Sequence, residues 1–324
     1  LPRARVTVSE PTAQSPEEYL LTSICSEPGG WQSGKYWTLL LDRQARVVWA
    51  IPGVEDALVV FAQVAASGDH VLWDESRYWS DFGTGAGSKV HATYLDREIE
   101  VIDTPGLHHP FVQLPDGTLV WGSQAHGGDE ALVEKAPGQA DETVLWTCLD
   151  DWPGVGGCES NGLFYRPETD TYLYSFYTNS TILEIERSTS QISWWAGEFP
   201  GGYTFTDPAD QFNWQHGISW TPTGTLLMSA NNDGDTQLME YAVDHAAGAL
   251  DLVWSSKSGV FVGSNGQAWR LANGNTLHLV GDTGVIREVG PSGADVWRVD
   301  YDSMRLLGHG QLVADLYALV SPTP

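Results

Sequence analysis

The stretch QHGISWTPTGTLLMS, residues 215–229, sets a histidine ahead of an apolar run, turns on Pro-Thr-Gly and enters a second apolar run. HHPFVQLPDGTLVWG at 108–122 has the same layout, with His109 eight residues before Gly117 as His216 is eight before Gly224. Apolar run, tight turn, apolar run is the signature of an antiparallel hairpin. The turn recurs at SGDHVL (Gly68), PDGTLV (Gly117), ETDTYL (Asp170), PTGTLL (Gly224) and NGNTLH (Gly274), at intervals of 49, 53, 54 and 50 residues. A period of that length marks a repeat architecture.

Most turns are followed, 23 to 30 residues later, by a β-rich segment ending at tryptophan: ETVLWTC, QISWWAG, LDLVWSS and ADVWRV. RVVWAI at 46–51 fits a further unit at the N-terminus, and REIEVI at 97–102 is a version without the aromatic. Between turn and tryptophan lies another hairpin, as in TILEIERSTSQISWW, where period-2 alternation flanks a Ser/Thr turn. Each unit therefore holds four antiparallel strands, and radial packing of such sheets is a β-propeller. The expected fold is all-β: one six-bladed propeller over residues 1–324, with blades at roughly 1–52, 57–103, 107–150, 158–198, 213–257 and 262–320. QLVADLYAL near the C-terminus reads as a closing strand, without indicating which blade it joins. The GTGAG of 83–87 has no helix-forming segment after it and reads as a surface loop. The NNDGD of 231–235 lacks the distal glutamate of a calcium loop and reads as a hairpin turn.

Charge narrows the partners. With 16 Lys+Arg against 42 Asp+Glu the formal charge is −26, a field that repels nucleic acid and anionic membranes and keeps the chain soluble. No apolar run reaches the roughly 18 residues of a spanning helix, so a small molecule is the expected partner and membrane insertion is not. The sequence starts Leu1-Pro2-Arg3 without methionine, which suggests a removed leader and an exported, periplasmic or extracellular protein. Cys148 and Cys158 bracket a short loop and can form a disulfide in an oxidising compartment, leaving Cys25 over. No cysteine or histidine spacing matches a zinc site, and neither a cofactor nor a metal site is assigned.

In a propeller the strand before the first turn of each blade is innermost, so its start lines a mouth of the central channel. His109, Glu159, His216 and the pair Asn265 and Gln267 hold that place in blades 3 to 6, while ALVVFAQ gives blade 2 an apolar wall. The structural alternative is that these polar groups bind only channel water. Most of the fifteen tryptophans belong to blade ends and to packing. Trp214 and Trp269 instead flank His216 and Gln267 near the inferred mouth.

HPFVQLPDGTL, SNGLFYRPETDTYLYS, QHGISWTPTGTLL and SNGQAWRLANGNTL, followed by GVIREVGPSGADVWRV, resemble successive blade signatures of the aryl-sulfate sulfotransferase family over residues 105 to 320. The resemblance implies a six-bladed exported propeller that transfers a sulfuryl group from a phenolic sulfate through a sulfated histidine. It places that histidine at His216 and a second active-site histidine at His109. The third family histidine is Glu159 here, and the arginine expected 18 residues after it is Tyr177. Exchange of two cations for Glu and Tyr weakens stabilisation of an anionic group in transfer.

Three readings follow. One is sulfuryl transfer from an aryl or related small sulfate ester, with His216 as nucleophile. Another is a hydrolase or lyase using His216, His109 and Glu159 in acid–base roles. The third is a non-catalytic propeller that binds a ligand, such as a glycan. The substrate-contacting positions expected around the histidines are His108, Asn161, Tyr177, Trp214, Asn265, Gln267 and Trp269.

Overall fold

A computed structural model describes residues 1–28, 34–77, 85–126, 129–152 and 157–322. The start of the 83–87 loop and the middle of the loop between Cys148 and Cys158 lie outside the described residues.

Six sheets, each built on four antiparallel strands, form the propeller, and in blades 2, 3 and 4 the strand order follows the chain outward from the axis. Blade 3 runs Leu107–Gln113, Leu119–His126, Asp129–Lys135, Thr143–Thr147, and blade 4 runs Ser160–Arg166, Thr171–Phe176, Thr181–Glu186, Ile192–Gly197. Blade 5 runs Asn213–Trp220, Leu226–Asn232, Asp235–Asp244, Ala249–Lys257, with a short parallel strand, Thr204–Phe205, at its outer edge. Blade 2 begins at Ala62–Val64 and ends at Glu98–Asp103. The first strands of neighbouring blades touch one another around the axis, which identifies them as the channel wall.

Both chain ends depart from the blade boundaries read in the sequence. Residues 1–52 do not form one blade: Ala4–Ser9 pairs antiparallel with Asp295–Tyr301, as a fifth, outermost strand of blade 6. Blade 6 in turn does not extend to residue 320, because Leu307–Val313 is the innermost strand of blade 1, paired with Tyr19–Cys25. The ring is thus closed twice, by an N-terminal strand on the outside of one blade and a C-terminal strand on the inside of the next. Glycine makes the second closure possible. A Cβ at Gly308 would lie 1.9 Å from Ser23 Oγ and 2.4 Å from the Val60 carbonyl oxygen, so only a residue without one fits between blades 1 and 2.

In every blade except blade 2, whose outer strand Glu98–Asp103 has none, an outer-strand tryptophan bridges to neighbouring structure. Trp297 donates its indole N–H to the Arg43 carbonyl, Trp254 to that of Pro291 and Trp49 to that of Leu95. Trp146 packs on Tyr174 and Phe176, and Trp194 on Tyr203 and Trp220. Burial of these rings adds apolar contact between sheets to that of the aliphatic core residues around them. Cys148 and Cys158 are joined as a disulfide with Cα atoms 6.3 Å apart, and Cys25 is buried in blade 1. No helix among the described residues is long and apolar enough to cross a membrane.

Candidate active site

Three inner strands bring a histidine to the channel: His309 from blade 1, His109 from blade 3 and His216 from blade 5. They alternate around the six-fold ring. Their charges are close enough to couple, His109 with His216 and His309, and His309 with His216. Burial holds all three imidazoles in the neutral form. The pKa of His109 lies well below its ordinary value, chiefly through desolvation and then through the neighbouring histidines. That of His216 falls to about 4 because burial outweighs a hydrogen bond to a backbone carbonyl, and that of His309 to about 3 because burial and the nearby His216 together outweigh one.

His109 is the end of a chain of titratable groups. Its Nδ1 lies 2.7 Å from Nδ1 of His108, whose Nε2 lies 2.8 Å from Oε2 of Glu130. His108 and Glu130 are fully buried, while His109 is 8% exposed and forms the outlet of the chain. Glu130 comes from the third strand of blade 3 and is caged. Tyr174 of blade 4 donates its hydroxyl to Oε1, and Gln124 Nε2 and the Ser160 backbone N–H donate to Oε2 at 2.7 and 3.4 Å. Burial alone would raise the Glu130 pKa. Pairing with His108 and the hydrogen bonds from His108, Tyr174 and Ser160 reverse this and hold the carboxyl below its usual range. The cage needs Gly122: a Cβ there would lie 2.4 Å from Ser160 Oγ and 2.6 Å from both Glu130 Oε1 and Tyr174 Oη.

His216 is held differently. Trp214 adopts a left-handed backbone, φ +46°, in a strand whose register slips on both sides of His216. This turn aims the Trp214 carbonyl at His216 Nδ1, 2.9 Å away. A carbonyl only accepts, so Nδ1 carries the proton and Nε2 the lone pair. Gln215, the residue matching His108 in the repeat, is fully buried and donates its amide to Ser175 Oγ and to the Phe176 and Thr181 carbonyls. It is a stitch between blades rather than part of a relay.

A cavity of about 340 Å³ occupies the channel on one side of the histidines. His309 lines it, as do Pro110 and Gly217, the chain neighbours of His109 and His216. Phe61, Phe111, Leu163, Phe164, Ile218 and Trp269 supply its apolar walls, and Gln63, Gln113, Gln267 and Gln311 its amides. The lining residues lie at and beyond the histidines along each inner strand, so this cavity opens at the mouth where those strands end. The sequence reading put the site at the mouth where they begin.

That shift redistributes the expected contacts. Gln267 and Trp269 line the cavity. His108 does not: it is fully buried, with its ring nitrogens on His109 and Glu130. Asn161 is 1% exposed, donating to the Gln215 carbonyl and accepting from Ser175, so its amide is committed to packing. Asn265 donates to the Leu307 carbonyl at the blade 6 to blade 1 seam. Trp214 is 47% exposed and borders a separate surface pocket with Asn231, Asn232 and Phe261. Glu159 accepts a 2.9 Å hydrogen bond from the Tyr177 hydroxyl, whose pKa burial and the nearby carboxylate push up to about 12. The two positions where the resemblance expects His and Arg thus hold a mutually bonded Glu and Tyr. Among the described residues no three His, Cys, Asp or Glu are arranged to hold a metal ion.

Sequence reasoning missed Glu130 and His309. Glu130 sits in an otherwise ordinary strand, EALVEK, and only the strand-interior Gly122 hinted at a close approach. His309 lies in LGHGQ, whose two glycines carry the same kind of signal.

No family model and no curated protein matches the sequence. Solved structures do. TolB from Acinetobacter baumannii superposes with a TM-score of 0.60 at 9% identity, covering 93% of this chain and 68% of TolB. A Bacteroides caccae protein of unknown function gives 0.58 at 14% identity, covering 90% and 98%. A candidate 6-phosphogluconolactonase from Bacteroides fragilis gives 0.54 at 13%, covering 92% and 99%. At these identities the likeness is one of propeller fold.

Proposed function

We propose that the channel is an acid–base active site that hydrolyses a small ester or lactone, with His109 as the proton carrier and His108 and Glu130 as its support. The observation that carries this reading is the continuous chain Glu130, His108, His109. With Glu130 ionised and accepting from His108 Nε2–H, the proton between the two Nδ1 atoms resides on His109, and the lone pair is on His109 Nε2. When Nε2 takes a proton, the shared proton shifts to His108, and the new positive charge settles beside the Glu130 carboxylate. A buried imidazole with a lowered pKa is thereby made a competent base.

In the reaction, Nε2 of His109 removes a proton from water as its oxygen attacks the acyl carbon. Collapse of the adduct breaks the bond to the alkoxy or phenoxy oxygen, which receives the proton back from His109. One water is consumed, and a carboxylic acid and an alcohol are formed. The B. fragilis neighbour, a candidate lactonase by its name, agrees with this chemistry without establishing it.

Sulfuryl transfer, the activity implied by the resemblance, is the second reading, favoured by the single tautomer of His216 with its lone pair on Nε2. Against it stand the Glu159–Tyr177 pair and the absence of Lys or Arg among the described residues that line the cavity. Export is supported by the Cys148–Cys158 disulfide.

The test is hydrolysis of dihydrocoumarin, a neutral aryl lactone, beside mass spectrometry of the protein after incubation with 4-nitrophenyl sulfate. The proposal expects lactone opening that falls roughly 10²- to 10⁴-fold in His109→Gln. A sulfuryl group trapped on His216 would establish the second reading instead. Binding without turnover of either compound would make the channel a ligand site.

A further inference from the structure

Among the described residues the cavity lining carries no Asp, Glu, Lys or Arg, although the protein as a whole holds 58 such residues, 16 basic and 42 acidic. The one titratable imidazole in the lining, His309, is held neutral with a pKa of about 3. The hydroxyl of Tyr165 is turned away, donating to Asp170 at 2.9 Å.

What remains polar is a set of glutamines whose orientation is fixed by the neighbouring blades. Gln311 Oε1 accepts from the Val64 backbone N–H at 3.0 Å, Gln113 Oε1 from that of Ala66 at 2.8 Å and Gln267 Oε1 from that of Gly310. Backbone N–H groups only donate, so each of these side chains must spend its oxygen on the seam and keep its NH₂ as the other end; that of Gln113 donates to the Gly117 carbonyl at 3.5 Å, which leaves Gln267 and Gln311 as the donors at the mouth. The mouth therefore offers neutral hydrogen-bond donors over walls made by Phe61, Phe111, Phe164 and Trp269.

We infer that the ligand of this channel is an uncharged aromatic or alicyclic molecule bearing a carbonyl or ring oxygen as acceptor, a neutral lactone or carboxylic ester rather than a sulfated or phosphorylated one. This rests on the acid–base reading for its reaction, while the recognition argument stands on the cavity alone. An anion entering the channel would lose hydration without meeting a counter-charge, against the field of a protein with net charge −26. A quaternary ammonium would find aromatic faces but would face the amide N–H groups with like polarity. A neutral acceptor meets both features: apolar walls for its ring, and donors for its oxygen.

Calorimetric titration of the whole protein with dihydrocoumarin, phenyl sulfate and phenyltrimethylammonium separates the three classes. Dihydrocoumarin is expected to bind with negative heat-capacity change, and each ion roughly a hundredfold more weakly for want of a partner in the cavity. Gln311→Lys should supply the missing counter-charge and narrow the gap between phenyl sulfate and dihydrocoumarin at least tenfold. Phenyl sulfate or the ammonium binding as tightly as dihydrocoumarin overturns the inference, as does failure of dihydrocoumarin to bind. Binding of dihydrocoumarin without turnover supports the ligand class and sinks the acid–base reading. Fast hydrolysis of an anionic ester does the reverse.

Discussion

The histidines of blades 3 and 5 hold equivalent places in a repeated motif, HHPFVQLPDG and QHGISWTPTG, and equal exposure, 8% each, yet they are different chemical groups. Behind His109 stands another imidazole and then a caged carboxylate; beside His216 stands a backbone carbonyl. The first arrangement can take up a proton and pass its charge inward. The second fixes one tautomer and offers no route onward. What a repeat confers is position, and the role of the residue at that position is set by one neighbour in sequence and one in the next strands.

Making blade 3 resemble blade 5 is the most direct way to break the contrast. His108→Gln places at 108 what blade 5 carries at 215 and removes the relay while leaving His109 in place. Hydrolysis should fall about 10²- to 10⁴-fold with the fold intact, checked by turnover and a melting curve. Next in size is Glu130→Ala. It strips the buried His108 of its carboxylate and Tyr174 of its acceptor, and should cost roughly 3–5 kcal/mol in urea unfolding. Gly122→Ala sharpens the same point from the backbone side. Its Cβ would enter the cage among Ser160, Glu130 and Tyr174, and a loss of about 1–3 kcal/mol is expected.

The smallest effects concern pH. His216 and His309 have folded pKa values of about 4 and 3, below the ordinary 6.5 of the unfolded chain. The unfolded state therefore binds more protons in that window, and their contribution to stability, complete above about pH 6.5, is lost as pH falls toward 4 and 3. Asp74 of blade 2 acts oppositely. Burial raises its pKa to about 8, although its Oδ1 accepts from the Val60 and Phe61 N–H groups, and its Oδ2 is buried without a partner. The native state thus holds the extra proton, and the stability Asp74 contributes below about pH 4 is lost as pH rises to 8. Melting temperature measured across pH should fall on the acid side from the histidines, and Asp74→Asn should raise it at pH 8 relative to wild type.

The contrast also shows what a sequence displays. Turn spacing gave the number of blades because every blade must solve the same packing problem, and the periodic tryptophans followed from that. The first mouth-facing histidines were visible because they recur beside those turns. Glu130 was invisible because its partners, His108 and Tyr174, lie 22 and 44 residues away and no local pattern links them. His309 was hidden because the closing strand belongs to blade 1 although it follows blade 6, a pairing decided by ring closure. The mouth read from the sequence differs from the one where the cavity lies, since alternation predicts which side chains face the channel, not where along it the bore widens.

The central claim is that His109 is the outlet of a proton chain and His216 is not, and imidazole nitrogen NMR across pH reads this directly. At alkaline pH both residues should show a protonated Nδ1 and a bare Nε2. His216 should keep this form until near pH 4, and His108→Gln should shift the His109 signals while leaving those of His216 in place. A His109 that carries Nε2–H at alkaline pH, or whose signals ignore His108→Gln, would contradict the account.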